Sequence, residues 1–309
     1  MYPLRKAVHL VELLSVLALC ACPVTSQYDP ESHRGTTGNI CHVFKGRCWD
    51  YEVTRYLTDL PRVETNCGKL WKLFTKAFSY KSPCDVQLEN YQPFLEAASQ
   101  NLPENKVLFW SGVFSLAHKL GNDGQEYVTL EDTLVGYLAN SITWCGQSSE
   151  PGMNYTRCPS WDDCPLEAAE SFWAGASTAF ARGARGQVLL MLDGSNPAKP
   201  AYRRDSFFGK YELPNLSQDV TSVYVIVSHV LDKPKLELCG SGSLQSLEAD
   251  VIERGFFYTC VDDPLAVRHL LCSQNPQSRE CQAILRHRQG ELPTRDGPRV
   301  LNDAPDRFS

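Results

Sequence analysis

The sequence predicts an α/β protein with a mainly helical N-terminal lobe and a C-terminal lobe built on a four-stranded parallel sheet flanked by helices. Two observations predict this class. Between residues 48 and 102, apolar side chains recur at three- and four-residue intervals, which is the spacing of amphipathic helices. After residue 102, four short runs of β-branched and aromatic residues alternate with helical segments. Such alternation favours a parallel sheet with crossover helices.

The first 26 residues have the pattern of a secretory signal peptide. Arg5 and Lys6 precede an apolar stretch from Val8 to Cys22, and small residues offer a cleavage site after residue 26. An uncleaved membrane anchor is the alternative, but the stretch is shorter than the roughly 20 residues that a span needs and contains Glu12. We therefore expect a protein without a membrane anchor that is secreted or held in the lumen of secretory vesicles or granules.

Charge and cysteine usage agree with secretion. The formal net charge of -6 argues against nucleic acid as a partner. Of the 13 cysteines, Cys20 and Cys22 fall in the signal peptide, which leaves eleven, and none of these forms a C-x-x-C pair. Disulfides therefore explain them better than a metal site, with one cysteine unpaired or bridging two chains. Sequons at Asn154 and Asn215 predict glycosylation.

The helical segments of the first lobe are followed by the predicted strands. Three apolar-periodic segments carry the helical pattern, at 51–60, 69–78 and 86–99. The four strand-like runs are 106–110, 187–192, 220–230 and 255–260. Sites in parallel sheets gather at the carboxyl ends of strands, so two segments at strand ends are candidates: Trp110, Ser111 and Gly112, and Asp193, Gly194 and Ser195.

Two further helices carry candidate side chains. In the segment 127–144, Thr129 and Asp132 have the spacing of a capping box that would start a helix. In the segment 164–183, Pro165 suits the first helical position. Trp173 and Ser177 lie four residues apart on that helix and therefore point the same way.

Two carboxylates each have a purely structural alternative. Glu131 falls in the first turn of a predicted helix, where an acid stabilises the helix dipole whether or not it does chemistry. Glu212 stands between Tyr211 and Leu213, so it either faces water on a strand edge or is held in a poor solvent. From the residues alone, the chain is predicted to be a secreted, disulfide-bonded α/β protein and no more.

Five motifs carry a resemblance to a known family. The segments KVLFWSGV, TLEDTLVGYLANSITWCG, ESFWAGAS, MLDGSNP and DSFFGKYELPNL, in this order, resemble the ADP-ribosyl cyclase family, and its soluble invertebrate members more than its membrane-held vertebrate ones. The resemblance runs from about Cys48 to about Arg286. It implies an enzyme that breaks the nicotinamide–ribose bond of NAD and lets the adenine attack the freed carbon, giving cyclic ADP-ribose.

The resemblance also implies side reactions and a set of ligands. Family members hydrolyse NAD to ADP-ribose to varying degrees, and with NADP they exchange nicotinamide for nicotinic acid to give NAADP. NAD is the substrate, so no separate cofactor is implied. A mainly hydrolytic NAD glycohydrolase is the nearest alternative function. A catalytically silent secreted binding protein that keeps the fold is the alternative from another class.

Site residues follow from the resemblance position by position. Glu212 matches the catalytic glutamate, and Glu131 matches the acid that engages the nicotinamide carboxamide and tunes cyclisation against hydrolysis. Trp110 and Trp173 match tryptophans that orient the substrate, and Ser111, Ser177 and Phe208 match positions near the ribose and phosphates. Phe207 matches an aromatic residue that helps to fold the adenine back, and Asn140 matches a residue on the nicotinamide side. Gly112 stands where vertebrate members have a phosphate-contacting arginine, so the diphosphate must be held by other groups.

The family pattern further implies five disulfides and a domain organisation. The pairs are Cys48–Cys67, Cys84–Cys164, Cys145–Cys158, Cys239–Cys260 and Cys272–Cys281, which leaves Cys41 either free or linking the two chains of a homodimer. After a signal peptide at 1–26, we expect a cyclase domain over 27–286 and a disordered tail over 287–309. Within the domain, the helical lobe takes about 40–102 plus 131–165, and the α/β lobe takes about 103–130 plus 166–286.

Overall fold

The computed structural model describes residues 39–54, 60, 66–149, 154, 158–160, 162–164 and 166–283. The predictions of a signal peptide over 1–26 and of a disordered tail over 287–309 lie outside these residues. The helices are α1 (Ile40–Thr54), α2 (Cys67–Lys76), α3 (Gln92–Ala97), α4 (Phe114–Gly121), α5 (Leu134–Ala139), α6 (Ala168–Gly183), α7 (Ser243–Glu253) and α8 (Leu265–Gln274), and the strands are β1 (Leu108–Ser111), β2 (Gly186–Asp193), β3 (Val220–Ser228) and β4 (Phe257–Asp262).

The four strands form one parallel sheet in the order β1-β2-β3-β4. This confirms the predicted fold class, and each strand overlaps one of the predicted runs. The central strands β2 and β3 are buried along most of their length. Continuous apolar runs are expected there, because helices cover both faces of a parallel sheet. The pairing of β1 with β2 sets Trp110 beside Met191 at the carboxyl end of the sheet.

An aromatic cluster joins α1, α2 and α3 to α6. Phe74 of α2 packs within 6.2 Å, centroid to centroid, of seven rings: Phe44, Trp71, Phe78, Tyr91, Phe94, Trp144 and Phe172. The Trp144 indole N–H donates to the Tyr91 hydroxyl at 2.9 Å, and that hydroxyl donates to the Ala168 carbonyl at 2.9 Å. The buried polar atoms of both rings are thereby satisfied. This core fixes the start of α6, which carries two candidate site residues.

The predicted helix over 127–144 is split in two. The capping box of Thr129 and Asp132 is present, but it starts a short 3-10 turn over Leu130–Asp132. Thr133 is extended, with ψ of 160°, and caps α5 by accepting a hydrogen bond from the Gly136 N–H. The apolar spacing does not show the second N-cap at Thr133, because the 3-10 turn and α5 both present apolar residues to the same core.

Helix α6 also begins differently from the prediction. Glu167 is its N-cap, and one carboxylate oxygen accepts hydrogen bonds from the Ala169 and Glu170 N–H groups, each at 2.9 Å. A carboxylate in this position satisfies helix N–H groups that have no partner within the helix. Pro165, which was expected at the first helical position, lies outside the described residues.

The five expected disulfides are all present: Cys48–Cys67, Cys84–Cys164, Cys145–Cys158, Cys239–Cys260 and Cys272–Cys281. Cys41 is disulfide-bonded as well, so the alternative that it is a free thiol is wrong. Within the described part of the chain, no helix is both long and apolar enough to span a membrane.

Candidate active site

A cavity of about 840 Å³ opens at the carboxyl end of β1. Its walls come from the end of β1, the 3-10 turn at Leu130–Asp132, the residues after α5, the buried side of α6 and the segment 199–212. The site therefore lies where the residues after β1 meet α6 and the segment between β2 and β3. A cavity at the carboxyl edge of a parallel sheet is the expected position for a ligand site.

The cavity brings together eight of the nine predicted site residues. They are Trp110, Ser111, Glu131, Asn140, Trp173, Ser177, Phe207 and Glu212. The ninth, Phe208, does not line it: this side chain is 1% exposed and packs against Phe109 and Tyr202, with ring centroids 5.7 and 6.5 Å apart. Its position supports the floor of the cavity rather than a direct substrate contact.

Glu212 is held in a poor solvent. It ends a π-helical turn over Phe208–Glu212 rather than lying on a strand, and it is 7% exposed. Burial raises the pKa of Glu212 to about 8, against a hydrogen bond from Ser177 that lowers it, and the nearby charge of Glu131 raises it further. Of the two alternatives for Glu212, a strand edge facing water is therefore wrong: the carboxylate faces the cavity and is shielded from bulk water.

Close packing of the backbone sets the π-helical turn. Gly209 lies so near the chain that precedes it that an added Cβ would fall 2.4 Å from the Arg203 carbonyl oxygen. The Gly209 N–H also contacts the Ser206 hydroxyl, and the Lys210 N–H donates to the Ser206 carbonyl. Only glycine permits this approach without displacing the backbone. The turn therefore depends on a residue that periodicity does not single out.

Glu131 is fixed from the opposite wall. The Trp110 indole N–H donates to Glu131 Oε2 at 3.3 Å, and His118 Nε2 lies 3.7 Å from the same oxygen. The Glu131 side chain is 12% exposed. Trp110 thus couples the end of β1 to the 3-10 turn, which explains why residues 21 positions apart meet at one site.

Helix α6 presents two side chains to the cavity as predicted from their spacing. Trp173 stacks edge-on against Phe172 at 5.3 Å, and Ser177, 3% exposed, donates to Glu212. Since Phe172 belongs to the aromatic cluster around Phe74, its fixed ring supports the Trp173 ring. A braced indole can hold a flat ligand without first having to be ordered.

Several lining residues were missed from the sequence. Lys199 and Arg203 bring two cations to the cavity, while Asp162 and Glu170 add acids and Phe114 adds a ring. The segment 196–205 holds cations and prolines, but nothing in their spacing indicates that they approach a site. Among the described residues, no group of His, Cys, Asp or Glu is arranged to hold a metal ion.

A family model and individual relatives identify the family. The sequence model of ADP-ribosyl cyclase matches residues 37–281. The ADP-ribosyl cyclase/cyclic ADP-ribose hydrolase of Aplysia kurodai is 51% identical over 272 residues, which is 88% of this chain and 96% of that protein. This chain belongs to the ADP-ribosyl cyclase family. The family resemblance inferred from the five motifs is confirmed.

More distant relatives and solved structures agree with the assignment. The mouse ADP-ribosyl cyclase/cyclic ADP-ribose hydrolase 1 is 36% identical over 88% of this chain and 90% of its own length. A crystal structure of Aplysia cyclase with substrate NGD and product cGDPR superposes with a TM-score of 0.77 and 55% identity, over 80% of this chain and 98% of that one. A second, of ADP ribosyl cyclase complexed with N1-cIDPR, has the same TM-score at 54% identity.

Proposed function

We propose that this chain is an ADP-ribosyl cyclase that converts NAD to cyclic ADP-ribose and nicotinamide. The observation that carries the proposal is the buried carboxylate of Glu212, which faces one cavity together with the indoles of Trp110 and Trp173. Membership of the cyclase family and the named activity of the Aplysia relatives support the same conclusion.

The chemistry requires only one catalytic carboxylate. Ordinary glycoside cleavage uses two, because the leaving oxygen must be protonated. Nicotinamide instead departs from a positively charged ring and takes the bonding electron pair with it, so it leaves as a neutral base without a general acid. The sugar that remains develops positive charge at its anomeric carbon. A carboxylate stabilises this charge most where water is scarce, as around Glu212.

The walls of the cavity favour cyclisation over hydrolysis. Aromatic surfaces from Trp110, Trp173 and Phe207 limit water near the sugar cation. The adenine of the same molecule, held in place by such surfaces, then bonds to the anomeric carbon as an intramolecular nucleophile, and one proton is released to solvent. In this scheme Phe207 helps to fold the adenine back, and Phe208 acts indirectly by supporting Phe109 beneath the cavity.

Polar side chains of the cavity indicate where each part of the substrate binds. We place the nicotinamide carboxamide at Glu131, with Asn140 on the same side, and the ribose near Ser177 and Ser111. Lys199 and Arg203 are the cations that hold the diphosphate, since Gly112 leaves no side chain for that purpose. With NADP and nicotinic acid, the same site would exchange bases to give NAADP.

The proposal extends to the cellular setting. The five disulfides support a secreted protein or one in the lumen of secretory vesicles or granules. Glycosylation is proposed at Asn154 and at Asn215. A homodimer remains part of the proposal and is checked by sedimentation of the purified chain.

Incubation with the guanine analogue of NAD tests the proposed reaction. A fluorescent cyclic product supports a cyclase, because cyclisation through the guanine creates the fluorophore. Exclusive formation of the linear product would establish the mainly hydrolytic NAD glycohydrolase instead. Folded protein that releases no nicotinamide from NAD or from the analogue would establish the catalytically silent binding protein.

A further inference from the structure

His118 lies behind the cavity and contacts Glu131 directly. Its Nε2 atom is 3.7 Å from Glu131 Oε2, the same oxygen that accepts the Trp110 indole N–H. No hydrogen bond to the other oxygen, Oε1, is found among the described residues. The Trp110 hydrogen bond and the His118 ion-pair contact both fall on Oε2, which leaves Oε1 to the cavity, where a substrate carboxamide could reach it.

The ring of His118 is fixed by its own neighbours. It lies over the Phe114 ring with centroids 4.0 Å apart and stands edge-on to Trp110 at 6.2 Å. Its Nδ1 atom is 2.9 Å from the Phe114 carbonyl oxygen. A carbonyl can only accept, so Nδ1 carries a proton and donates. The orientation of the ring is thereby set independently of Glu131.

The neighbours of Nε2 are acceptors as well. Besides Glu131, the Thr129 hydroxyl oxygen lies 3.4 Å away, but its one proton is given to Asp132 Oδ2 at 2.8 Å. Both nitrogens of His118 therefore face oxygen atoms of neighbouring residues. The charged groups around it are Glu131 and, behind Thr129, Asp132. Helix α8, which packs on α4, also carries Arg268 and His269.

We propose that His118 is a positioning residue that holds Glu131 through Nε2 and so sets the ratio of cyclic to linear product. The proposal rests on the cyclase function proposed above. His118 does not line the cavity, so it acts through Glu131 rather than on the substrate. Its effect should disappear when the carboxylate of Glu131 is removed, because the interaction between the two side chains is what carries it.

Two substitutions separate the roles of the two ring nitrogens. In His118→Gln the side-chain amide reaches the position of Nε2 and keeps a donor towards Glu131. In His118→Asn the amide reaches only the position of Nδ1, so the contact with the Phe114 carbonyl is kept and the donor to Glu131 is lost. Lys119→Gln, on the exposed neighbouring residue, controls for a polar substitution elsewhere on α4.

The measurement is the ratio of cyclic to linear product from NAD, taken within each variant so that total turnover does not enter. We expect His118→Asn to change the ratio by about fivefold, which corresponds to about 1 kcal/mol, the upper end of the range for a single ion-pair contact. His118→Gln should stay near the wild-type ratio, as should Lys119→Gln. In a Glu131→Gln background, adding His118→Asn should change nothing further.

Three results would overturn the proposal while the cyclase function stands: an unchanged ratio in folded His118→Asn, equal effects of the Asn and Gln variants, or additivity with Glu131→Gln.

Should the Asn variant fail to fold, nitrogen NMR of His118 tests the contact without it. The Nε2 resonance must shift between wild type and Glu131→Gln, and an unchanged resonance overturns the contact. A wild-type chain that releases no nicotinamide from NAD overturns the proposed function and this inference with it.

Discussion

Glu212 combines burial with a proposed catalytic role that requires its charge. Burial raises the pKa of this carboxyl to about 8 from its ordinary 4.5, while the Ser177 hydroxyl favours the ionised form. The hydrogen bond from Ser177 thus offsets only part of the free energy that is needed to keep the Glu212 carboxylate out of water. A substrate with a cationic pyridine ring supplies the missing positive charge, so substrate binding should favour the ionised state that catalysis needs.

We expect kcat/KM for NAD to rise with pH as Glu212 ionises, with a midpoint near pH 8, since this quantity reports the free enzyme. The profile of kcat should have a lower midpoint, because the bound pyridinium favours the carboxylate. Steady-state kinetics between pH 5 and 9 check both. Coincident midpoints near the ordinary carboxyl value would contradict the assigned environment.

The same shift makes a prediction about stability. Between about pH 4.5 and pH 8 the folded protein holds one proton more than the unfolded chain at this position, so the stabilisation present below that range is lost as pH rises through it. Glu212→Gln removes the titrating group and should remove this part of the fall in the free energy of unfolding. Denaturant titrations of both proteins at pH 5 and pH 9 measure the difference. A pH dependence identical in both would show that Glu212 does not titrate in this range.

At the scale of single elements, the strands were predictable and the site-forming turns were not. Runs of β-branched and aromatic residues identify all four strands, and burial on both faces accounts for the runs of β2 and β3. The π-helical turn that holds Glu212 depends on Gly209 fitting against the Arg203 carbonyl, which is a contact set by tertiary structure. Likewise, the convergence of His118 and Glu131 leaves no trace in the spacing of either segment.

Resemblance to a family supplied what local pattern could not. Apolar spacing gave Trp173 and Ser177 a common helix face, and the structure confirms this. Pattern alone left Glu131 and Glu212 with structural alternatives, and only the motif match singled them out. The cations of Lys199 and Arg203 escaped both kinds of reasoning, because their segment has no periodicity.

The contact between α5 and the 3-10 turn offers a test at this scale. A Cβ added at Gly136 would fall 2.1 Å from the Leu130 carbonyl oxygen, so Gly136→Ala must displace the turn that carries Glu131. We expect a loss of about 1–3 kcal/mol in the free energy of unfolding and a changed ratio of cyclic to linear product.

Gly46→Ala in α1 is the matched control, since nothing lies within 4 Å of the added Cβ. It should gain stability by up to about 1 kcal/mol, because alanine is the better helix former. Thermal unfolding and product analysis of both variants are the measurements. If Gly136→Ala behaves like Gly46→Ala, the close contact at the 3-10 turn does not exist.

Across the whole molecule, charge is distributed unevenly relative to the proposed substrate. The chain carries a net charge of -6, yet NAD brings a diphosphate. The cavity itself is lined by the acids Glu131, Asp162, Glu170, Asp205 and Glu212, against the cations Lys199 and Arg203. Attraction of the diphosphate therefore depends on these two side chains, and it should weaken as salt screens them.

We expect Lys199→Gln and Arg203→Gln to raise KM for NAD more than they lower kcat, because the diphosphate contacts are made equally before and during bond cleavage. The KM of each variant should also depend less on ionic strength than that of the wild type. Lys233→Gln removes a charge from an exposed residue that does not line the cavity and serves as the control. If KM changes equally in all three variants, the change follows from net charge, and the proposed contacts of Lys199 and Arg203 with the diphosphate are contradicted.

Mass spectrometry of the products from NAD, for the wild type and for Glu212→Gln side by side, tests the central claim most directly. The account predicts cyclic ADP-ribose and nicotinamide from the wild type, and neither from a folded Glu212→Gln variant, whose amide has nearly the same shape but no charge. Substantial nicotinamide release by that folded variant would contradict the claim that a single shielded carboxylate stabilises the sugar cation.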